Sequence, residues 1–330
     1  MWFLSLAYGL GINFILFCYR AGWLKKHRLP RPVISIGNLT WGGVGKTPFV
    51  LWLAKELKTK NLKPVILTRG YMAKTENKNH PSDEAKMIEE VLKDVPVVVG
   101  KNRMARAHQF LQNNDTDVFI LDDGFQHWGL ARDLDVVLVD ATNPFGNGHL
   151  IPRGILREPL TSLKRADIVC LTKTDLAKDR IVSLKNNLKK ISSKLLIGET
   201  VHQGERLKDI CSAAVYELSI LNNRKIACLC GIGDPSSFEL ILEKLGAQVV
   251  KKFLFMDHHI YAREEISQIL EECLKENIQT VVTTDKDAVK IASFQKFINE
   301  KISILSLQID ISFIKGKDEF LDRVYHLVHS

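Results

Sequence analysis

The run Thr40-Trp41-Gly42-Gly43-Val44-Gly45-Lys46-Thr47 constrains this chain more than any other, because it follows the apolar stretch Val33-Ile34-Ser35-Ile36 and precedes a helical pattern from Pro48 to Lys58. A strand, a glycine-rich turn and a helix in that order form the setting of a phosphate-binding loop. The glycines let successive backbone N–H groups converge on phosphate oxygens, and the helix N-terminus adds its positive dipole end. Lys46 is expected to reach the β- and γ-phosphates, and the Thr47 hydroxyl to ligate Mg²⁺. The usual G-x4-G-K-[ST] spacing wants glycine where this chain has Thr40. The run is closer to the deviant G-G-x-G-K-[ST] loop, but Trp41 stands where some deviant-loop ATPases carry a signature lysine. The other reading is a glycine-rich turn that merely caps a helix.

At 330 residues the chain exceeds the size at which one core stops growing, so two domains are expected. Its 45% apolar and 25% charged composition is that of a soluble globular body, and the net charge of +8 favours an anionic partner. No lysine- and arginine-rich helix interleaved with aromatics appears, which ranks nucleic acid below a phosphorylated substrate or an acidic membrane. The six cysteines form no C-x-x-C pairs, which argues against a disulfide framework or zinc site and for a reducing cytosol.

From Trp2 to Tyr19 there is no charged residue; Arg20, Lys25, Lys26, His27, Arg28 and Arg31 follow. No basic segment precedes the apolar stretch and no small-x-small site ends it, so it is a poor signal peptide. It sits at the lower limit for spanning a bilayer, and Gly9, Gly11 and Asn13 weaken it further. Either this helix lies in the membrane, with the basic cluster on the cytoplasmic leaflet at about 1 kcal/mol per Lys or Arg, or it covers a hydrophobic face of its own domain. Lying in the membrane or inserted into it, the helix would leave the catalytic body in the cytosol.

Strands are expected at Pro64–Thr68, Val97–Gly100, Asp117–Asp123, Asp135–Asp140 and Asp167–Thr172, with helices at about 81–93 and Arg103–Leu111 between them. Such alternation implies a parallel sheet covered on both faces. The pattern loosens near 197–222, then resumes with Ile226–Cys230, Pro235–Leu245, Val249–Phe253, Arg263–Lys275, Thr280–Thr284, Ile302–Ile309 and a last helix over Asp318–Val328. The expected division is a hydrophobic helix and basic flank (1–30), an α/β nucleotide-binding domain (31–205) and a smaller α/β domain (206–330).

Phe119-Ile120-Leu121-Asp122-Asp123 is an apolar strand ending in carboxylates, the form of a Walker B element, so Asp122 or Asp123 would hold Mg²⁺. Gly124-Phe125-Gln126-His127 extends polar groups beyond that strand, where α/β sheets bind ligands. Arg153 and Arg157 flank a glycine turn and, with Arg103 and Arg106, suit phosphate or carboxylate, although a solvated loop reads the same. Asp83 reads most simply as a helix cap. Asp257-His258-His259 lacks a third ligand for metal, and a histidine beside a carboxylate suits proton transfer better. Thr172-Lys173-Thr174-Asp175 matches the [NT]-K-x-D element that reads guanine in many GTPases, and Asp285-Lys286-Asp287 also follows a strand.

Taken together, these runs resemble one family, the tetraacyldisaccharide 4′-kinases, which phosphorylate the lipid A precursor of Gram-negative bacteria. The matching segments are Gly37-Asn38-Leu39-Thr40 with the loop to Pro48, Thr68-Arg69-Gly70-Tyr71, Asp83-Glu84, Leu121 to His127, Pro152-Arg153-Gly154, Leu156-Arg157-Glu158-Pro159, Asp257-His258 and Asp285 to Lys290. The resemblance implies a P-loop NTPase core and transfer of the ATP γ-phosphate to the 4′-hydroxyl of an acylated glucosamine disaccharide 1-phosphate at the cytoplasmic face of the inner membrane. It implies Asp83 as general base paired with His258, and Lys46 with Mg²⁺ for charge neutralisation. Asn38, Tyr71, Arg103, Gln126, His127, Arg153, Arg157 and Glu158 become candidate sugar and phosphate contacts. Where the family often has Asp-Glu-Pro, Ala85 follows Glu84 here. No obligate protein partner is implied. The alternatives are a deviant-loop switch ATPase, which would hydrolyse ATP on meeting a protein, and a GTPase.

Overall fold

The computed structural model describes residues 1–70, 83–298 and 301–329. In chain order the elements begin with α1 (Trp2–Arg20), β1 (Val33–Asn38), α2 (Lys46–Thr59), β2 (Pro64–Thr68), α3 (Asp83–Val91), β3 (Val97–Val99) and α4 (Arg103–Leu111). They continue with β4 (Val118–Asp122), β5 (Leu134–Asp140), β6 (Ile168–Thr172), α5 (Ile181–Ile191), β7 (Leu196–Asp209), β8 (Val215–Tyr216), β9 (Lys225–Cys230) and α6 (Pro235–Lys244). The last are β10 (Gln248–Leu254), α7 (Arg263–Lys275), β11 (Thr280–Thr284), α8 (Asp285–Ile291), β12 (Ser303–Lys315) and α9 (Lys317–His329). By its contacts the chain forms two units, residues 1–201 with 311–330, and residues 202–310.

In the first unit the strands run in the order β7-β6-β5-β1-β4-β2-β3, all parallel. Every residue of β1, β2, β4 and β6 is buried, as strands covered on both faces require. β1 stands between β5 and β4, so the winding reverses there, and the crevice beyond such strand ends is where open α/β sheets take ligands. Asn38, Asp122 and Asp123, Asp140 and Thr172 all sit at or just beyond the carboxyl ends of β1, β4, β5 and β6.

Residues 311–330 join this unit rather than the smaller one, contrary to the expected division at 206–330. The reason is aromatic: Phe313 of β12 and Phe320 of α9 pack on Trp52 of α2 at ring-centroid distances of 4.8 and 5.6 Å, and Phe320 lies 5.7 Å from Phe49. Such pairs add to plain area burial. Helix α5, which the sequence reading did not anticipate, buries Ile181, Leu184 and Leu188 at helical spacing.

The second unit orders its strands β10-β9-β11-β12, again parallel. Leu229, Val281 and Ile304 face Ile269 and Leu270 of α7, while Cys228, Val282 and Leu305 face Phe238 and Leu242 of α6.

Helix α1 is long and apolar enough to cross a membrane by length and composition. One face buries Ser5, Gly9, Leu16 and Cys18, while Trp2, Phe3, Leu4, Leu10 and Phe14 are exposed. The buried face sits on the 150–157 segment: the Ser5 hydroxyl donates to the Leu150 carbonyl at 2.8 Å, and the Tyr8 hydroxyl to the Arg157 carbonyl at 2.9 Å. A side chain at Gly9 would put its Cβ 2.9 Å from Leu150. That glycine, which weakens the helix as a membrane span, is what the close approach needs.

Candidate active site

The loop after β1 closes onto α2 at Lys46, ahead of the expected start at Pro48, because Gly45 caps the helix at φ 85° and Gly42 turns at φ 126°. Both lie where a Cβ would be strained. The front half of the loop is tied to the 155–157 segment. Trp41 donates its N–H to the Ile155 carbonyl, and Arg157 its N–H to the Leu39 carbonyl, both at 2.7 Å. Buried Asn38 ties the loop to β1: its Nδ2 donates to the Thr40 carbonyl at 2.7 Å, and its Oδ1 accepts from Lys46 Nζ at 3.1 Å. Thr40 therefore does the fixing through its backbone, and a glycine there is unnecessary. The Trp41 side chain points outward, 67% exposed.

The two carboxylates after β4 differ. Asp122 is buried and accepts from the Thr68 hydroxyl at 3.1 Å. Asp123, at φ 48°, receives both arms of the Arg157 guanidinium at 2.8 and 3.1 Å and lies 3.6 Å from Lys46 Nζ. Burial alone would raise its pKa, but Lys46, Arg157 and Arg103 outweigh burial and hold it down at about 2. Arg157 also reaches Asn38 Oδ1 at 3.3 Å, so one residue links β1, the loop and β4.

Around this cluster Gln126 Nε2 donates to the Asn38 carbonyl at 3.0 Å. The buried Gln126 Oε1 and Arg103 Nε have no hydrogen-bond partner among the described residues. Burial, then the charges of Arg103, Arg132 and Arg69, hold His127 near 4, so its imidazole is neutral at physiological pH. Glu158 is fully buried and its carboxylate is forked by Arg165 at 2.7 Å on both arms, while Arg165 stacks 3.7 Å over Phe125. Arg165 was not singled out from sequence. Arg153 is exposed, and its carbonyl accepts from Asn147. Tyr71 lies outside the described residues, and of Asp83 only the backbone, at the first position of α3, is described.

The T-K-x-D element does not face outward. Lys173 is 3% exposed and pairs with Asp140, and Thr172 Oγ1 donates to the Val44 carbonyl at 3.1 Å. In the second unit, His258 adopts φ 63° and its Nε2 lies 3.3 Å from Lys286 Nζ, which also donates to Asp257 at 2.8 Å. His259 stacks on Phe255 and meets Glu265 at 3.0 Å. Asp287 is fully buried, accepting from the Gly231 N–H at 2.9 Å and the Thr284 hydroxyl at 2.8 Å, which pins the ends of β9 and β11 together. Among the described residues no three His, Cys, Asp or Glu side chains cluster as a metal site built from protein ligands alone would require.

A family model described as tetraacyldisaccharide-1-P 4′-kinase matches residues 1–328. A tetraacyldisaccharide 4′-kinase of Halothermothrix orenii is 35% identical over 90% of this chain and 84% of its own length. One of Elusimicrobium minutum is 36% identical over 97% and 88%. Among solved structures, that of LpxK from Aquifex aeolicus in complex with ATP superposes with a TM-score of 0.76 at 28% identity, covering 98% of this chain and 97% of the other.

Proposed function

The chain belongs to the tetraacyldisaccharide-1-P 4′-kinase family, and on that premise we propose how its residues divide the work of a lipid A kinase. ATP binds at the loop of residues 40–47, with Lys46 and the backbone amides on its phosphates. The donor set fits Mg²⁺, which takes oxygen ligands and leans on one or two carboxylates plus phosphate. Thr47 and Asp122 would hold it. Asp123 is less suited, because its oxygens already receive Arg157 and Lys46. Bound there, the ion would supply positive charge to offset that of the phosphates.

The acceptor is the 4′-hydroxyl of a tetraacylated glucosamine disaccharide 1-phosphate. Its oxygen attacks the γ-phosphorus, its proton passes to the Asp83 carboxylate, and the bond to the β–γ bridging oxygen breaks to release ADP. His258, held by Asp257 and Lys286, is assigned the tuning of that base. Gln126 Oε1 and Arg103 Nε are buried polar atoms that want a partner, which suits contact with the sugar or a phosphate. Asn38, Tyr71, His127, Arg153 and Arg157 complete the proposed substrate contacts. Glu158 acts through Arg165, since its carboxylate is sealed. The exposed apolar side of α1, followed by Arg20, Lys25, Lys26 and Arg28, would place the enzyme on the cytoplasmic face of the inner membrane.

The observation that carries this reading is the convergence of Lys46, Arg157 and Arg103 on Asp123 beside the phosphate loop, a pre-formed cationic site for a transferring phosphate. The test is transfer of label from Mg-ATP to the disaccharide 1-phosphate. Asp83→Ala should lower turnover by about 10²-fold or more with ATP affinity unchanged. An unchanged rate would return Asp83 to helix capping, and no transfer by the wild type would remove the reading.

A further inference from the structure

The residue after β6 is bent into the left-handed region, with Lys173 at φ 55°. Non-glycine residues adopt that conformation rarely, and mostly where surroundings enforce it. Here the bend carries an almost fully buried ammonium group between two places. One is the Asp140 carboxylate at the end of β5, which also accepts from the Thr142 N–H at 2.9 Å and hydroxyl at 2.6 Å. The other is the Gly43 carbonyl of the phosphate loop, at 3.4 Å. The preceding side chain does the same one residue along, the Thr172 hydroxyl donating to the Val44 carbonyl at 3.1 Å. Strand pairing sets this up, since Asp140 and Thr172 are register partners on neighbouring parallel strands.

In a trans peptide the C=O and the following N–H point in opposite directions. Tying the Gly43 and Val44 carbonyls to the β6 side therefore turns the N–H groups of Val44 and Gly45 to the other side, toward the space a phosphate would fill. We propose that Lys173, with Thr172, is the positioning residue of the phosphate loop, and that the T-K-x-D element orients amides for the triphosphate instead of reading the base. Asp140 keeps the buried ammonium paired, which a charge in that position requires. The loop lacks the first glycine of the standard pattern, and this brace from outside the loop holds its central peptides instead.

This inference rests on the loop being the triphosphate site, so its test reads binding of ATP, GTP and inorganic tripolyphosphate by calorimetry on the full chain in detergent. The glycolipid transfer assay is left to judge the kinase reading. The test variant is Lys173→Met combined with Asp140→Asn, which removes both charges together. With the thermal midpoint of the ligand-free protein unchanged, ATP and tripolyphosphate affinity should both fall by about tenfold or more, the size expected for a hydrogen bond from a charged group, and the ATP:GTP ratio should not move. Loss of ATP affinity with tripolyphosphate unaffected, or a changed ATP:GTP ratio, would make Lys173 a base reader and overturn the proposal. Unchanged affinity for both would overturn it as well. If the double variant does not fold, Thr172→Val removes the second carbonyl bond without touching a charge. It should weaken both ligands by about threefold, a neutral hydrogen bond's worth, and no change there would also overturn the proposal.

Discussion

Asp123 and Asp285 each stand one residue past the end of a buried parallel strand, β4 in the first unit and β11 in the second, yet their surroundings push them in opposite directions. Burial raises both. At Asp123 the charges of Lys46, Arg157 and Arg103 overcome it and hold the group at about 2. At Asp285 the Ser306 hydroxyl and the more distant Lys208 and Arg206 offset it only in part, with Glu205 acting against them, and the group rises to about 6. A carboxylate at a strand end is thus not a site in itself. What marks Asp123 is the number of cations gathered on it, Lys46, both arms of Arg157 and Arg103, which is the arrangement an incoming phosphate can use.

The largest effect that separates the two comes from Asp123→Asn. It strips the charge from a carboxylate facing Lys46 and both arms of Arg157, and turnover should fall by about 10²-fold, comparable to losing one preorganised electrostatic group. The isosteric Asp285→Asn should leave turnover within about twofold, since that group touches no proposed substrate contact. Equal losses in the two variants would erase the distinction drawn from their electrostatics.

A smaller effect is expected from Arg157→Lys, at about tenfold in kcat/KM. A lysine keeps the charge but cannot make the paired contacts to Asp123 or reach Asn38 at the same time. Retention of full activity would show that charge suffices and the fork does not matter.

The smallest effect is one of stability against pH. The Asp285 carboxyl is raised from its ordinary 3.8 to about 6 in the folded chain. Between these values the unfolded chain gives up the proton first, so stability should fall as pH rises through that window and stay lower above it. Asp285→Asn should abolish this fall and melt higher than the wild type at pH 8, as followed by thermal denaturation. Asp123 has the opposite sign. Its contribution is complete above the ordinary carboxylate range and disappears as pH falls toward about 2. A wild-type profile flat between pH 4 and 6, with no gain from Asp285→Asn, would contradict the buried state of Asp285.

Much of this site could be read along the chain because its signals are local. Glycines at 42, 43 and 45 before Lys46-Thr47, and an apolar run ending in Asp122-Asp123, express turn and strand requirements that neighbouring residues fulfil themselves. Glu158 entered as a candidate substrate contact only through the family resemblance, and in the fold Arg165 closes over its carboxylate. The segment 197–222 read as a loosening because β7 alternates buried and polar positions without a clear period. Helix α5 escaped notice among its lysines and asparagines.

The sequence by itself determined that a phosphate loop follows β1, that carboxylates follow β4, that the chain alternates strand and helix, and which family it joins. Only the tertiary structure decided which of Asp122 and Asp123 the cations claim, that Lys173 turns inward onto the loop, that α1 rests on the segment bearing Arg157, and that Phe313 and Phe320 bring the C-terminal residues back to α2. The first set depends on spacing within a few residues. The second depends on which strand ends and helix faces the topology makes neighbours, and on where burial leaves a charge no partner but the one beside it.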